Sequence, residues 1–450
     1  MKVKKLILLV VACFVMQTGI VHAAAPSSQH VLLISVDGMR PDYVTAADAH
    51  HLSIPTLRSF MTNGTFAEGI INSLPANTYP NHTTLVTGVS PAVHGIYNNL
   101  TFDPLQQHPN EWYWYASSVR VPTLWQAAKT AGLVTASVGW PVTNGAKGID
   151  YLITELAQSE DSGEAKALDG DNPPGLRQRL DADHVIKGDD GDEKKVIWAT
   201  EIIRLYKPNF MTVHINNLDH IEHQTGIFSA AANKTLEKID GQLKTIIQAE
   251  LAMDPAAKIV IVSDHGFVNV DTRINFGIMF IRAGLVPGRG KGESPISPDA
   301  HWDAAVWDAG GTAAIMLRNP NDEAVKQKVA VLLNAAAKDP KYGIARVLTR
   351  DQFAGMGGFP DASFLVEWKP GFTSGHAMKG EVIVSTPGRG AHGFMPDRPE
   401  MHSSCFMAGK GIAAGRNLGV FDMRQIAPTI AEMLGISFPS AALGPVNYHP

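Results

Sequence analysis

An α/β architecture is the fold class this chain predicts: one open, mostly parallel sheet with helices on both faces and a small inserted subdomain. Three observations lead there. The 450 residues and 45% hydrophobic content are ample for a large core. Continuous β-branched and leucine runs, such as Val-Leu-Leu-Ile-Ser-Val at 31–36, have the composition of strands buried on both faces, as parallel strands are. Helical patterns separate those runs, which is the alternation of a parallel sheet.

In chain order, the first segment stands outside that fold. Met1-Lys2-Val3-Lys4-Lys5 leads into an apolar stretch from Leu6 to Met16, then a polar break and Ala23-Ala24-Ala25 before Pro26. A basic start, a short apolar run and small residues at its end mark a secretory signal peptide over 1–25, followed by a mature domain over 26–450. Lipoprotein cleavage at Cys13 is the alternative, and it leaves an apolar core of only seven residues. Either way the mature chain is expected in the periplasm or outside the cell. No later stretch is long and apolar enough to span a bilayer, so no transmembrane anchor is expected after cleavage. Loss of the leader removes three lysines and no acid, shifting the formal charge from −5 to −8, which gives no support for a nucleic-acid polymer as ligand. Cys405 then remains without an internal disulfide partner and reads as a small buried hydrophobe.

The mature chain opens with strand 31–36, and 55–64 reads as a short helix ending in Asn-Gly. Further strands are expected at 133–138, 209–216, 258–263 and 381–385, and helices at 123–131, 194–205, 230–250 and 423–434. Residues 158–195, rich in Asp, Glu, Gly and Pro, read as a solvated loop. Residues 272–375 carry strand and helix candidates of their own, with glycine-rich breaks at 288–292 and 355–358, and read as the inserted subdomain.

Strand 31–36 stops on Asp37-Gly38, and three more acid/histidine clusters follow: Asp219 with His223, Asp264-His265, and His392-Gly393. In open α/β sheets ligands bind beyond the carboxyl ends of the strands, and Asp37, Asp219 and Asp264 each fall just after a strand. Asp219 and His223, four apart, share one helix face, and Gly266 lets the chain leave the sheet after Asp264-His265. Any one such pair is more often a structural hydrogen bond, and 17 histidines make chance adjacency common. The combination carries the argument, because carboxylates and imidazoles are the ligands zinc takes without thiolates, and paired zinc ions suit phosphoryl transfer. His214, His220, His301 and His402 read as structural or surface residues. Thr78 precedes Pro80, which suits a first helical turn, so Thr78 stands at a helix mouth that favours anions. It is either a plain helix cap or a nucleophile whose proton a metal or base must remove.

At this point the motifs carry a family resemblance. Asp37-Gly-Met-Arg-Pro-Asp-Tyr, Asn77-Thr-Tyr-Pro-Asn-His-Thr-Thr-Leu-Val-Thr-Gly, His94-Gly-Ile-Tyr-Asn-Asn, Asp219-His-Ile-Glu-His, Ser263-Asp-His-Gly and Gly390-Ala-His-Gly resemble the nucleotide pyrophosphatase/phosphodiesterase family of the alkaline phosphatase superfamily. The resemblance spans nearly all of the mature chain. It implies an alkaline-phosphatase-like fold and two Zn2+ per chain. Asp219, His223 and His392 would hold one ion, and Asp37, Asp264 and His265 the other, with the Thr78 oxygen also on the second. It further implies Thr78 as the nucleophile of a covalent intermediate, Asn99 as a hydrogen-bond donor to a non-bridging phosphate oxygen, and a nucleoside monophosphate as product. His376, in Thr373-Ser-Gly-His-Ala, competes with His392 for the last ligand place. The context Ala-His-Gly-Phe favours His392 and leaves His376 near the pocket rim or structural.

The expected partner is a small phosphodiester or nucleotide. Residues 78–82 carry no Arg or Lys and Asn99 is neutral, which suits the single charge of a diester better than a monoester dianion. A sulfatase would need Cys or Ser two residues before Pro80 and Arg two after it, where Thr78 and His82 stand. The Lys-x-Arg motif of related threonine monoesterases has only Lys147-Gly-Ile149 to match it, although Arg40 beside Asp37 keeps a phosphomonoesterase open. Tyr79 is expected to stack on a nucleobase. The cluster Trp112-Tyr113-Trp114-Tyr115 suits a leaving-group or base pocket and a cover over the core equally, and a choline head could also use such an aromatic cage, so a choline-lipid glycerophosphodiesterase is a further alternative. A non-catalytic metal-binding ectodomain would require loss of the nucleophile or a ligand, and all seven residues are present.

Overall fold

The computed structural model describes residues 29–108, 110–157, 166–167, 170–182, 191–288 and 296–450. The leader with Cys13, and Asp189-Asp190, lie outside the described residues. The main sheet has eight strands in the spatial order Arg416–Asn417, Thr65–Phe66, Cys405–Gly409, Lys258–Val262, Val31–Val36, Phe210–Ile215, Thr135–Val138 and Tyr151–Ile153. Val31–Val36 is parallel to both its neighbours, and Thr135–Val138 continues the parallel run to Tyr151–Ile153. Cys405–Gly409 runs antiparallel beside Lys258–Val262.

Alternation along the strands divides two cores. Leu32, Ile34 and Val36, with Met211, Val213 and Ile215, face the helices Gly191–Tyr206 and Ala230–Met253. Val31 and Leu33, with Val260 and Val262, face Leu124–Thr130 and Ile426–Leu434. Each fully buried Val, Leu or Ile contributes about 1.5–3 kcal/mol, so helices on both faces are what these two-sided apolar strands require. Among the described residues no helix is long and apolar enough to cross a membrane.

Two expectations change. The 381–385 segment does not join the main sheet but begins Ile383–Ala391, which pairs antiparallel with Val268–Ile274 in a three-stranded sheet completed by Gly371–Ser374. Most of its residues up to Arg389 are exposed or half-buried, unlike the fully buried parallel strands. The acidic stretch is not wholly a solvated loop either. Leu176–Asp181 is helical, and Gly191–Tyr206 starts inside the stretch. Buried Asp192 accepts hydrogen bonds from the backbone N–H groups of Asn216 and Asn217 at 3.1 and 2.9 Å.

Within 272–375, Ala304–Asp308, Thr312–Leu317, Phe364–Trp368 and Ile344–Thr349 form a four-stranded antiparallel sheet. Residues of Phe276–Arg282 and Glu323–Lys338 pack on it in a third core. The hairpin between its first two strands touches the site: the Gly311 N–H donates to the His392 carbonyl at 2.8 Å. Gly310 (φ +79°) leaves that carbonyl room, since a Cβ there would lie 2.4 Å from it.

Candidate active site

The key side chains leave their elements at one end of the main sheet. Asp37 follows Val31–Val36, Asp264 and His265 follow Lys258–Val262, and Asp219 and His223 stand on Asn217–Thr225, entered from Phe210–Ile215. These three strands are parallel neighbours, so their ends converge. His392 arrives from the second side, just past Ile383–Ala391, and Thr78 is the first residue of Thr78–Thr87.

The side chains gather into two trios, Asp219 with His223 and His392, and Asp37 with Asp264 and His265, the candidate ligand atoms of each lying within 4.8 Å of one another. His265 Nε2 is 3.1 Å from Asp264 Oδ2, 3.4 Å from Asp37 Oδ1 and 3.3 Å from Thr78 Oγ1. His223 Nε2 and His392 Nε2 are 3.4 and 3.9 Å from Asp219 Oδ1. The trios adjoin through the stacked rings of His265 and His392, whose centroids are 3.8 Å apart.

The other ring nitrogens decide what these trios can hold. Nδ1 of His223, His265 and His392 each has a backbone carbonyl at 3.2 Å, from Gly390, Gly266 and Ala76. A carbonyl only accepts, so a proton on Nδ1 satisfies each of these pairs and leaves Nε2 with a lone pair to offer. Those lone pairs share the trios with Asp37 Oδ1, Asp219 Oδ1 and Asp264 Oδ2, which are buried and have no hydrogen-bond partner. Acceptors gathered around acceptors repel one another, and a cation among them relieves that repulsion. Burial, first among the causes, pushes the Asp37 carboxyl well above its usual range, raises Asp219, and moves Asp264 up to about 7. The Asp264 charge adds to the effect on Asp37, and burial pushes His265 well down and His392 down to about 3. A divalent ion reverses both penalties. The oxygen and nitrogen donors, with no thiolate, fit zinc.

The sequence profile of the type I phosphodiesterase / nucleotide pyrophosphatase family matches residues 31–363. The chain belongs to this family. It is 24% identical over 250 residues to human ectonucleotide pyrophosphatase/phosphodiesterase family member 1, a match covering 52% of this chain and 23% of that protein. An uncharacterized pyrophosphatase/phosphodiesterase of Schizosaccharomyces pombe is 24% identical over 296 residues, covering 61% of this chain and 54% of its own length. The chain thus spans about a quarter to a half of the length of these curated relatives. Human ectonucleotide pyrophosphatase/phosphodiesterase 5 has the same fold, with a TM-score of 0.64 at 19% identity over 93% of this chain and 98% of its own. The murine form, solved as an inactive variant with alanine replacing a threonine, in complex with AMP, also scores 0.64, at 17% identity and the same coverage.

Residues that sequence reasoning passed over hold this family member's site in place. His214, read as structural or surface, puts Nε2 3.0 Å from Asp37 Oδ2 while Nδ1 lies 3.1 Å from the Gly139 carbonyl. His82 Nδ1 lies 2.9 Å from the Thr78 carbonyl and its Nε2 2.9 Å from Ser35 Oγ. Ser35 and His214 are register partners on fully buried strands, and a polar residue inside a continuous apolar run was the signal available for both. The Gly38 N–H donates to Asp264 Oδ1 at 3.1 Å, with Gly38 at φ +72°.

Asn99 lines a cavity of about 910 Å³ together with Trp112, His220, His223, His376 and His392. Its Oδ1 accepts the Tyr79 N–H at 2.9 Å, which leaves the donor end of the amide for a ligand. Tyr79 itself does not offer a stacking face. It is 1% exposed, its hydroxyl donates to Glu155 at 2.6 Å, and Trp112 and Trp114 lie edge-on against its ring. Trp112 covers that ring and lines the cavity in its place. Arg40 is committed elsewhere, to Asp42 at 2.5 Å and the Phe267 carbonyl at 3.0 Å, which removes the cation that had kept a monoester open.

Proposed function

We propose that the chain hydrolyses phosphodiester or pyrophosphate bonds of nucleotides and releases a nucleoside monophosphate. Thr78 is the nucleophile, and two zinc ions sit in the trios Asp219/His223/His392 and Asp37/Asp264/His265. The observation that carries this is Thr78 Oγ1 at the first residue of its helix, 3.3 Å from His265 Nε2, which itself lies 3.1 and 3.4 Å from Asp264 Oδ2 and Asp37 Oδ1, two buried oxygens without a hydrogen-bond partner. Bound there, the ions would supply Lewis acidity that lowers the pKa of the hydroxyl and offsets charge on the reacting oxygens.

The chain's own groups do the rest. Thr78 stands at the N-terminus of its helix, where the helix dipole favours an anionic phosphoryl group. The Asn99 amide donates to a non-bridging oxygen. Thr78 Oγ1 loses its proton to solvent and forms a bond to phosphorus as the bond to the leaving oxygen breaks and its electron pair stays on that oxygen; water then cleaves the threonyl ester, its oxygen ending on phosphorus and one of its protons restoring the Thr78 hydroxyl. A neutral amide and no Lys or Arg in 78–82 match a reacting group of single charge. We further propose export with removal of residues 1–25, and one catalytic domain over 26–450 in which 272–375 is a subdomain walling the site.

Exported protein, starting after Ala25 by mass, is the preparation to assay. Thr78→Ala is expected to cut turnover of p-nitrophenyl thymidine monophosphate by roughly a thousandfold or more while zinc content stays at the wild-type value. A Thr78→Ala chain with near wild-type turnover overturns the mechanism.

A further inference from the structure

Beyond the reacting centre, the cavity wall carries charge that the mechanism above does not use. Arg273, on Val268–Ile274, lines it, and among the described residues its side chain makes no hydrogen bond or salt bridge. The arginine stem lies along Gly375, where a Cβ would come within 2.6 Å of its Cδ. Glycine there leaves the space that the stem fills at the cavity edge. Two hydroxyls lining the same cavity, Ser374 Oγ and Thr386 Oγ1, are buried and without a hydrogen-bond partner. Arg389, across the strand pair from Val270, lines it as well. Among the described lining residues Asp308 is the one carboxylate. Burial raises its pKa against the opposing pull of His376 and Arg273, and it forms no ion pair with Arg273. An unpaired guanidinium lining one cavity with unsatisfied hydroxyls suits a multiply charged oxyanion.

The reacting phosphoryl group meets Asn99 and carries a single charge, so this cation serves a more distant part of the substrate. His223 and His392 of one trio line the cavity, and Arg273 and Ser374 line it as well without belonging to either trio. We propose that Arg273, with Ser374 and Thr386, forms a subsite for the phosphate chain of the leaving group, so that the chain selects nucleotides departing as polyphosphate over esters with an uncharged leaving alcohol. This rests on the hydrolysis proposed above. In that reaction the electron pair of the breaking P–O bond passes to the leaving oxygen, and Arg273 meets charge already present on the departing chain. Its role is specificity rather than chemistry.

The test compares kcat/KM for ATP, which departs as pyrophosphate, with that for p-nitrophenyl thymidine monophosphate, in wild type, Arg273→Met and Arg273→Lys. Methionine keeps the packing on Gly375 and removes the charge, and lysine restores it. Arg273→Met is expected to lose roughly 10- to 100-fold on ATP and less than about threefold on the nitrophenyl ester, with Arg273→Lys recovering much of the ATP activity. Parallel losses on both substrates, or none on either, overturn the subsite and leave the hydrolysis standing. A wild-type chain inactive on both substrates overturns the hydrolysis and the subsite with it.

Discussion

His392 and His376 separate the two kinds of histidine in this cavity. Both line it, yet only His392 combines a carbonyl on Nδ1 with Nε2 near Asp219, at 3.2 and 3.9 Å. His376 is instead a neighbour of Asp308, whose carboxyl it draws down in pKa. His392→Ala is therefore expected to bring zinc content from about two ions per chain toward one, measured by metal analysis after dialysis, whereas His376→Ala leaves it unchanged. The reverse pattern transfers the ligand place to His376. Asp37, Asp219, His223, Asp264 and His265 could be picked out from sequence because each sits where a strand of the main sheet ends or on the helix that follows one, places that the fold class itself brings together, whereas His392 was picked out by its motif. Tyr79 was misjudged for the complementary reason. Its neighbour Thr78 faces the site, but helical rotation and the hydroxyl bond to Glu155 turn the tyrosine ring inward under Trp112. No local pattern encodes that partner, 76 residues away.

Elements differ in how plainly they announce themselves. The strands Val31–Val36, Phe210–Ile215 and Lys258–Val262 lie within one residue of their expected ends because burial on both faces demands an unbroken apolar run. Ile383–Ala391 was assigned to the wrong sheet, since a short strand with a mixed face pairs wherever docking permits. The hairpin joining Ala304–Asp308 to Thr312–Leu317 was equally illegible as part of the site, although its turn grips His392 through the Gly311 N–H. Gly310→Ala tests that grip. The left-handed backbone costs an L-residue roughly 1–2 kcal/mol, and the new Cβ presses on the His392 carbonyl. Weaker zinc retention on titration with a chelator is expected, with a melting temperature lower by a few degrees. Wild-type retention together with a lowered melting temperature would confine the turn's role to folding.

At the scale of the whole molecule, the site lies where separate cores meet. Asp37, Asp219, Asp264 and His265 issue from the main sheet, while His392 issues from the three-stranded sheet and is held by the hairpin of the four-stranded one. Parallel register accounts for the first four. The approach of His392 depends on how independent sheets dock, which lies beyond any pattern in the residues around it. Ions in both trios would then act as ties between these bodies as well as reagents. Binding to the folded chain alone stabilises it by roughly 4 kcal/mol per ion when the free ion is a thousandfold above its dissociation constant. Removing both ions is therefore expected to lower the melting temperature by on the order of 5–10 °C, allowing for the smaller shift per kcal/mol in a larger chain. Scanning calorimetry of the zinc-loaded and chelator-treated protein measures this, and added zinc should restore the higher transition. A carboxylate cluster left without its cation also retains Asp37, Asp219 and Asp264 atoms with no partner, so the loss should exceed that from Thr78→Ala, which leaves the trios intact. An unchanged melting temperature on full metal removal would mean that the docked sheets alone hold the two trios together.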